Sequence, residues 1–330
     1  MQNSYQAYET ASGYTIPITN ESVNRRIERI TRQSMKGRFV RTRSGAGKRS
    51  ISGDIATLGY PDALAMFLQA TMFGRTQTLS SDTLYRHTYT VHSWDYTEYT
   101  ALQPMTLEIN RDGNQSTFCR DMAGQSLSID IAPSEPVGLT MSVLGTDHKI
   151  DTAGTMEYSG EKPFFWDQCS ISLDGSANLD FDSFNLSINN NLEAYYTLQA
   201  ANIPHKIKRT SEVAIDITAE ISYVDSAQYH AMYTAFENQT DIAFSLAMAD
   251  GNNSFLVDIP AMRITGYESN IRDPANIRTA ITAEANYSAT SASAILIQVV
   301  SGKPLINTPF TLNDSYSGLL GYDYNVLTGG

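Results

Sequence analysis

One pattern occurs twice in this chain of 330 residues, and it restricts the available folds more than any other feature. Residues 50–73 and 214–236 each begin with alternating residues that predict a strand, then continue with helically spaced apolar residues. Asp62 and Asp225 stand at the start of the two helical segments. We expect both to be helix N-caps, because an Asp carboxylate accepts hydrogen bonds from first-turn amides. A repeat of this kind predicts two copies of one structural unit.

The buried faces of the repeated strands and helices can be predicted from their periods. The alternating residues of the two strands are Ala56, Leu58 and Tyr60 in the first and Ala219, Ile221 and Tyr223 in the second. We expect these two sets to be equivalent. The apolar stripes of the two helices are Leu64, Phe67, Leu68 and Met72 in the first and Tyr229, Met232, Tyr233 and Phe236 in the second.

A second correspondence follows each helix. Residues 124–144 and 266–285 each contain a strand, a short turn with proline and another strand, which predicts a β-hairpin in both halves. Residues 145–180 are rich in glycine and predict a crossing from one half to the other, with residues 164–166 held in a core. Chance similarity between two β-rich segments is the alternative explanation of these matches.

Charge is scarce and unevenly distributed. Charged residues make up only 18% of the chain, and Ser, Thr, Asn and 19 Tyr residues favour strands and polar turns. Residues 1–50 hold ten cations and three acids, a net charge of +7, whereas the remaining chain has 13 cations and 32 acids, a net charge of −19. The basic segment is expected to dock on acidic surface of its own or a neighbouring chain, or else to be a solvated loop. Nucleic-acid binding is less favoured, because the acidic remainder repels a polyanion.

Motifs for catalysis or metal binding are not found in the sequence. The five histidines form no His-x-x-x-His pair, the two cysteines form no Cys-x-x-Cys pair, and Gly45–Ser50 is only part of a phosphate-binding loop. No apolar run reaches the length of a membrane span, and the first residues lack the features of a secretory signal. We therefore expect no enzymatic activity, no cofactor or metal, no membrane partner, and free thiols in a reducing cytoplasm.

The repeated strand, helix and hairpin plan, with a long basic loop and terminal arms, resembles the tail tube (major tail) proteins of long-tailed, non-contractile bacteriophages. The best-matched stretch is residues 182–299, including the Asn-rich strand end at 189–191 and the loop at 204–209. The resemblance implies a mainly β fold of two tandem β-sandwich or barrel units, each flanked by one α-helix, with extended arms and loops.

The same resemblance implies a division of the chain. The expected parts are an N-terminal arm at 1–20, a first tube unit at 21–150 with a long basic loop at 36–49, a crossing segment at 151–180, a second tube unit at 181–300 and a C-terminal tail at 301–330. Contacts between subunits or rings are expected from the basic side chains of two loops. They are Arg38, Arg41, Arg43, Lys48 and Arg49 in the first unit, and Lys206, Lys208 and Arg209 in the second.

The function that the resemblance implies is structural. Such subunits form rings that stack head-to-tail into a tube, through which DNA passes into the host without specific binding. Three double-unit chains would make one pseudo-hexameric ring, although a hexamer is also possible. The implied partners are further copies of the chain, the tail terminator and tail tip proteins, and the tape measure protein during assembly. The chain would be made in the host cytoplasm and reside in the virion tail. The alternative is a virion-associated β-sandwich that binds carbohydrate or a receptor.

Overall fold

The structure is a computed structural model and is described for part of the chain. The described residues are 15–31, 44–72, 74–81, 84–91, 105–110, 114–154, 160–178, 181–198, 202–222, 227–273 and 276–302. Strands dominate these residues, so the predicted mainly β fold is confirmed. The helices of the described part are α1 (Pro61–Thr71) and α2 (Ala227–Asn238), with a short 3-10 turn at Trp166–Gln168.

The strands are numbered in chain order. Their bounds are β1 (Asn20–Glu21), β2 (Asn24–Thr31), β3 (Ser44–Leu58), β4 (Gly74–Ser81), β5 (Leu84–Thr90), β6 (Met105–Asn110), β7 (Gln115–Ile131), β8 (Gly138–Gly145), β9 (Asp147–Thr152), β10 (Cys169–Leu173), β11 (Ser176–Asn178), β12 (Phe181–Asn189), β13 (Leu192–Tyr195), β14 (Lys206–Arg209), β15 (Ala214–Ser222), β16 (Asp241–Asp250), β17 (Asn253–Asp273), β18 (Asn276–Ala285) and β19 (Leu296–Ser301). The predicted hairpins at 124–144 and 266–285 are confirmed as β7–β8 and β17–β18.

The first sheet consists of antiparallel strands in the order β2–β3–β8–β7–β12–β15–β18–β17. β1 extends the edge strand, because Asn20 pairs with Ala56 and Asn24 pairs with Ser52 in one continuous register. Along β12, buried Phe184 alternates with half-buried Asn185, which is the period of a sheet with one apolar face. We call the other, polar side of the first sheet its open face.

The second sheet has the order β4–β5–β19–β17–β16–β10–β11, so β17 belongs to both sheets. Residues 254–258 of β17 pair with β19, whereas residues 262–273 pair with β18. Phe184 of the first sheet stacks on Phe244 of the second, with ring centroids 5.2 Å apart. The two apolar faces and both helices thus share one core.

The buried face of β3 is the one opposite to the predicted face. Ile55 and Thr57 are buried, whereas Ala56 and Leu58 are only partly covered. In β15, however, Ala219 and Ile221 are buried as expected. Apolar Ala56 and Leu58 suggested the wrong face, and a one-residue shift exchanges the two faces of a strand. The counterpart of Ala219 in β3 is therefore one of the buried neighbours of Ala56, either Ile55 or Thr57.

The first helix begins two residues earlier than the N-cap prediction for Asp62 implies. Pro61 occupies its first position, where the fixed φ of proline suits a helix and its missing N–H leaves no bond unmade. Tyr60 is the N-cap residue and makes no side-chain cap bond, so the N-cap prediction for Asp62 is wrong. Asp225 lies outside the described residues.

The apolar stripes of the helices were largely predicted. All four stripe residues that the spacing identified in the first half are buried, three of them in α1 and Met72 at its C-cap. In α2, Tyr229 and Met232 are buried, but the Tyr233 side chain is 42% exposed and Ala235 is buried near it. The buried stripe of α2 therefore contains Ala235 in place of Tyr233.

The segment predicted as a crossing is partly built into the sheets. Phe164 is fully buried, but its neighbours Phe165 and Trp166 are exposed, so only one of the three aromatic residues is held in the core. β10 lies in the same segment and pairs with β16 in the second sheet. The predicted boundaries of the arm, units and tail remain predictions.

The carboxyl groups of Glu161, in the predicted crossing segment, and Asp62, in the first turn of α1, lie close together. The Glu161 carboxylate accepts hydrogen bonds from the backbone N–H groups of Asp62 and Gly302, both at 3.3 Å. The Asp62 carboxyl lies close enough to Glu161 for the two groups to interact electrostatically. Burial, followed by the nearby Asp62 charge, raises the pKa of Glu161 above its ordinary value of 4.5.

This raised pKa predicts how stability depends on pH. Between pH 4.5 and the raised pKa, folded Glu161 keeps a proton that the unfolded chain has released, so stability falls as pH rises through that window. We expect Glu161→Gln, which stays neutral, to remove this part of the decline. Thermal unfolding from pH 4 to pH 8 measures it, with Glu135→Gln on an exposed turn as control. Parallel curves for wild type and Glu161→Gln would contradict the assignment.

Candidate assembly surface

The open face of the first sheet is polar and acidic. Small polar side chains such as Ser128, Thr140 and Ser187 project between its acids. The acids on this face are Asp54, Asp130, Asp216, Glu220, Glu268 and Glu284. Among the cations of this face, Arg278 forms ion pairs with Glu220 at 3.3 Å and Asp182 at 3.7 Å, and Arg26 projects from β2. The open face is thus a broad, mainly negative surface.

In the middle of the first sheet, two strands from opposite halves of the chain pair edge to edge. Residues 126–131 of β7 pair antiparallel with residues 184–189 of β12, and we call this pairing the seam. On the open face, the Asn185 amide donates to Ser128 Oγ at 2.7 Å and to the Asp130 carboxylate. The seam therefore has both a backbone ladder and side-chain bonds that fix its register.

A buried asparagine fastens the end of the seam. Asn190 is 1% exposed, and its Nδ2 donates to the carbonyl oxygens of Thr71 at 2.7 Å and Gly124 at 2.9 Å. Its backbone N–H donates to Gln125 O at 2.8 Å, and its Oδ1 accepts from Arg209 Nη2 at 3.2 Å. One side chain thus joins α1, β7, β12 and β14 with all its polar atoms bonded.

The β13–β14 hairpin, which is inserted between β12 and β15, lies against the first half of the chain. Its Leu192 and Ile207 form a small apolar cluster with Ala123. Beyond it, the Asn202 carbonyl accepts from the Arg49 N–H at 2.8 Å, and the Tyr196 hydroxyl donates to Arg49 O at 3.0 Å. The insertion thereby ties the β2–β3 hairpin to the second half.

Most of the predicted contact residues in the described part have partners within the chain. The Lys48 ammonium lies 5.0 Å from the Tyr196 ring centroid, and the Lys208 ammonium lies 3.9 Å from the Tyr195 centroid. Lys206 is exposed on β14. Arg38, Arg41 and Arg43 lie outside the described residues. A role of all these cations between subunits stays a prediction.

Both ends of the first sheet have an edge that no other described strand covers. β1 and β2 pair only with β3, and residues 264–273 of β17 pair only with β18. Ile27 and Ile30 on β2 are 52% and 49% exposed. An exposed edge with apolar side chains favours pairing with another chain.

The described residues contain no group of three His, Cys, Asp or Glu side chains that could hold a metal ion. His87 is fully buried and hydrogen-bonds to the Ser301 hydroxyl at 3.2 Å, so it serves the core of the second sheet. Among the described helices, neither is long and apolar enough to cross a membrane.

In the described part of the chain, these features define a β protein with one seam inside the first sheet and an uncovered edge at each end of that sheet. Residues 2–289 match the family model described as phage tail tube protein, and the chain belongs to this family. A search of curated proteins gave no match. The chain is therefore a structural protein of a bacteriophage tail, which agrees with the expectation of no enzymatic activity.

Sequence reasoning missed Asn190 and the packing of the β13–β14 hairpin. A local signal existed, because Asn189–Asn191 directly ends a strand whose alternate residues are apolar. At Asn190 the alternation places a polar residue in a buried position, and a buried amide requires partners. Which carbonyls supply them depends on contacts distant in sequence.

Proposed function

We propose that this chain self-assembles through its sheet edges into rings that stack into the tail tube. One observation carries the proposal. The strand sets β2–β3–β8–β7 and β12–β15–β18–β17 have the same pairing order, and a helix follows the second strand of each along the chain. We infer that the chain contains two tandem units, which the seam joins. We further infer that the uncovered edges of two chains pair in the same way to join one chain to the next.

Three chains per ring is the arrangement that this inference favours. If neighbouring units of the ring are all joined by strand pairing of the same kind, each chain contributes two units and one joint between them, the seam. The joints between chains then form where the uncovered edges of neighbouring chains pair. Closing the ring pairs every edge of the first sheet, which removes an aggregation hazard. A ring of six chains remains the alternative. Rings stack head-to-tail, and the basic 36–49 loop contributes to contacts between subunits or rings.

The open face lines the lumen in this proposal, because the helices pack on the opposite side of the first sheet. Its acids repel the DNA backbone, so DNA slides through during ejection, whereas a basic wall would retain it by counterion release. The tail terminator, tail tip and tape measure proteins are the further partners of such a tube. A second candidate function, carbohydrate binding, has weaker support, because exposed Trp166, Tyr195, Tyr233 and Tyr287 lie on separate elements.

Negative-stain electron microscopy of the purified chain tests this proposal. We expect hollow tubes with a regular axial repeat, and glycan binding no stronger than that of an unrelated β protein. A monodisperse monomer at all concentrations and salt conditions that binds glycans would contradict it.

A further inference from the structure

We propose that the joint between chains repeats the seam residue by residue, so that Glu21–Arg26 of one copy pairs antiparallel with 266–271 of the next. This inference rests on the proposed function and specifies its interface. The seam provides the template for this joint, because its residue pairs are known. The strands next to it show which residues of the two halves correspond, so the same pairs can be transferred to the joint between chains. The occupant of each uncovered edge is a second copy of this chain.

The correspondence starts from the buried residues of β3 and β15. Burial leaves Ile55 and Thr57 as possible counterparts of Ala219, and Ile55 is the one that brings the register shifts of the joint-forming strands into alignment. Ile55 pairs with Met141 on β8, and Ala219 pairs with Ile281 on β18. Met141 and Ile281 are both buried, so the two halves agree on the next strand as well.

The same correspondence continues onto the strands that form the joints. Leu127 pairs with Met141 on β8, and Tyr267 pairs with Ile281 on β18. Leu127 therefore corresponds to Tyr267. Both strands have a register shift close by, between Gly124 and Ser126 in β7 and between Ile264 and Gly266 in β17. These shifts fall at matching positions, which supports the alignment because a β-bulge is a specific feature of a strand.

The opposite edge is aligned in the same way. Ile51 and Ile215 are corresponding buried residues of β3 and β15. Arg25 pairs with Ile51, and Ile188 pairs with Ile215, so Arg25 corresponds to Ile188. Within the seam Ile188 pairs with Leu127, and the joint between chains therefore places Arg25 opposite Tyr267.

The full register follows from that one pair. The pairs are Glu21 with Ile271, Ser22 with Asn270, Val23 with Ser269, Asn24 with Glu268, Arg25 with Tyr267 and Arg26 with Gly266. Arg26 then lies diagonal to Glu268 on the open face, where opposite charges attract. Arg25 lies opposite an aromatic ring on the other face, which suits a cation–π contact. Exposed Ile27 follows directly and gains cover from the neighbouring copy.

Disulfide cross-linking in assembled tubes tests this register. Cysteines at directly opposite positions of antiparallel strands lie within bonding distance. We expect Asn24→Cys with Glu268→Cys to give dimers and trimers on non-reducing gels after oxidation. Ser22→Cys with Glu268→Cys, a register slipped by two residues, should give at least about fivefold less product, because the diagonal distance is longer. Ser128→Cys with Ser187→Cys is the matched pair in the seam and should cross-link within one chain.

The natural thiols interfere little. Cys119 is buried, and burial raises the pKa of Cys169 to about 11, so both are poor nucleophiles at neutral pH. Oxidised wild-type tubes should therefore remain monomeric on the gel. Amide exchange of the wild-type tubes provides a second measurement that needs no variant, and both 21–26 and 266–271 should exchange as slowly as 126–131.

The outcomes separate the register from the proposed function. Tubes in which the slipped pair cross-links more than the Asn24 and Glu268 pair would overturn the register and leave the tube function standing. Fast exchange of 21–26 in wild-type tubes would also overturn it. A wild-type chain that forms no tubes would overturn the proposed function, and the register with it.

Discussion

Replacing Asn190 by Asp should lower the free energy of unfolding by about 2–4 kcal/mol, one of the two largest effects that we expect from a single substitution. The amide donates to two backbone carbonyls, from Thr71 and Gly124, in a site that is 1% exposed. A carboxylate has the same shape but donates no hydrogen bond when ionised, and its oxygens would face those two carbonyls. The nearby Arg209 guanidinium offsets only part of this loss.

Asn189→Asp provides the matched control. Its Oδ1 accepts a hydrogen bond from the Asn191 N–H at 2.9 Å, and a carboxylate accepts as well as an amide does. Urea unfolding of the unassembled chain, monitored by circular dichroism, should therefore show a large decrease of the midpoint urea concentration for Asn190→Asp and a small one for Asn189→Asp. Equal midpoints for the two variants would refute the role of Asn190 in joining the halves.

The other large effect is expected from Gly53→Ala, which should prevent tube formation while the rest of the chain stays folded. A Cβ at Gly53 would overlap the backbone of Ser22 and Val23, which cannot move away as a flexible side chain does. The edge strand would be displaced from β3. An overpacking cost of about 1–3 kcal/mol lowers the population of chains whose edge strand is correctly placed for assembly by roughly five- to 150-fold.

Gly45→Ala is the control for this prediction, since it lies on the same strand and a Cβ there meets nothing within 4 Å. Sedimentation of tubes from each variant measures the effect, with circular dichroism to confirm folding. Normal tubes from Gly53→Ala would show that the β1–β2 edge is not needed for assembly.

Much of the fold could be predicted because its signals are local. The apolar spacing of Leu64, Phe67 and Leu68 identified α1, and the alternating residues around the Pro-containing turns identified both hairpins. Two local predictions were wrong for local reasons. Alternation does not say which face of β3 is buried, and Pro61 starts α1 ahead of Asp62.

The assembly surface was harder to predict because it depends on pairings between distant residues. Nothing in residues 184–189 specifies that they pair with 126–131, since strand partners are chosen by the whole fold. Lys48 and Arg49 were singled out for their charge, but the structure shows that Tyr196 contacts both, which charge patterns cannot reveal. The acids of the open face became a group only once the strand register placed them together.

The number of chains around the tube is the most direct test of the central claim, that one chain supplies two ring units. Cryo-electron microscopy of the assembled tubes measures it from the rotational symmetry of each ring. The account predicts three chains per ring, with a first sheet that is continuous through seams and joints of the same register. Six whole chains per ring, or a first sheet interrupted between chains, would contradict it.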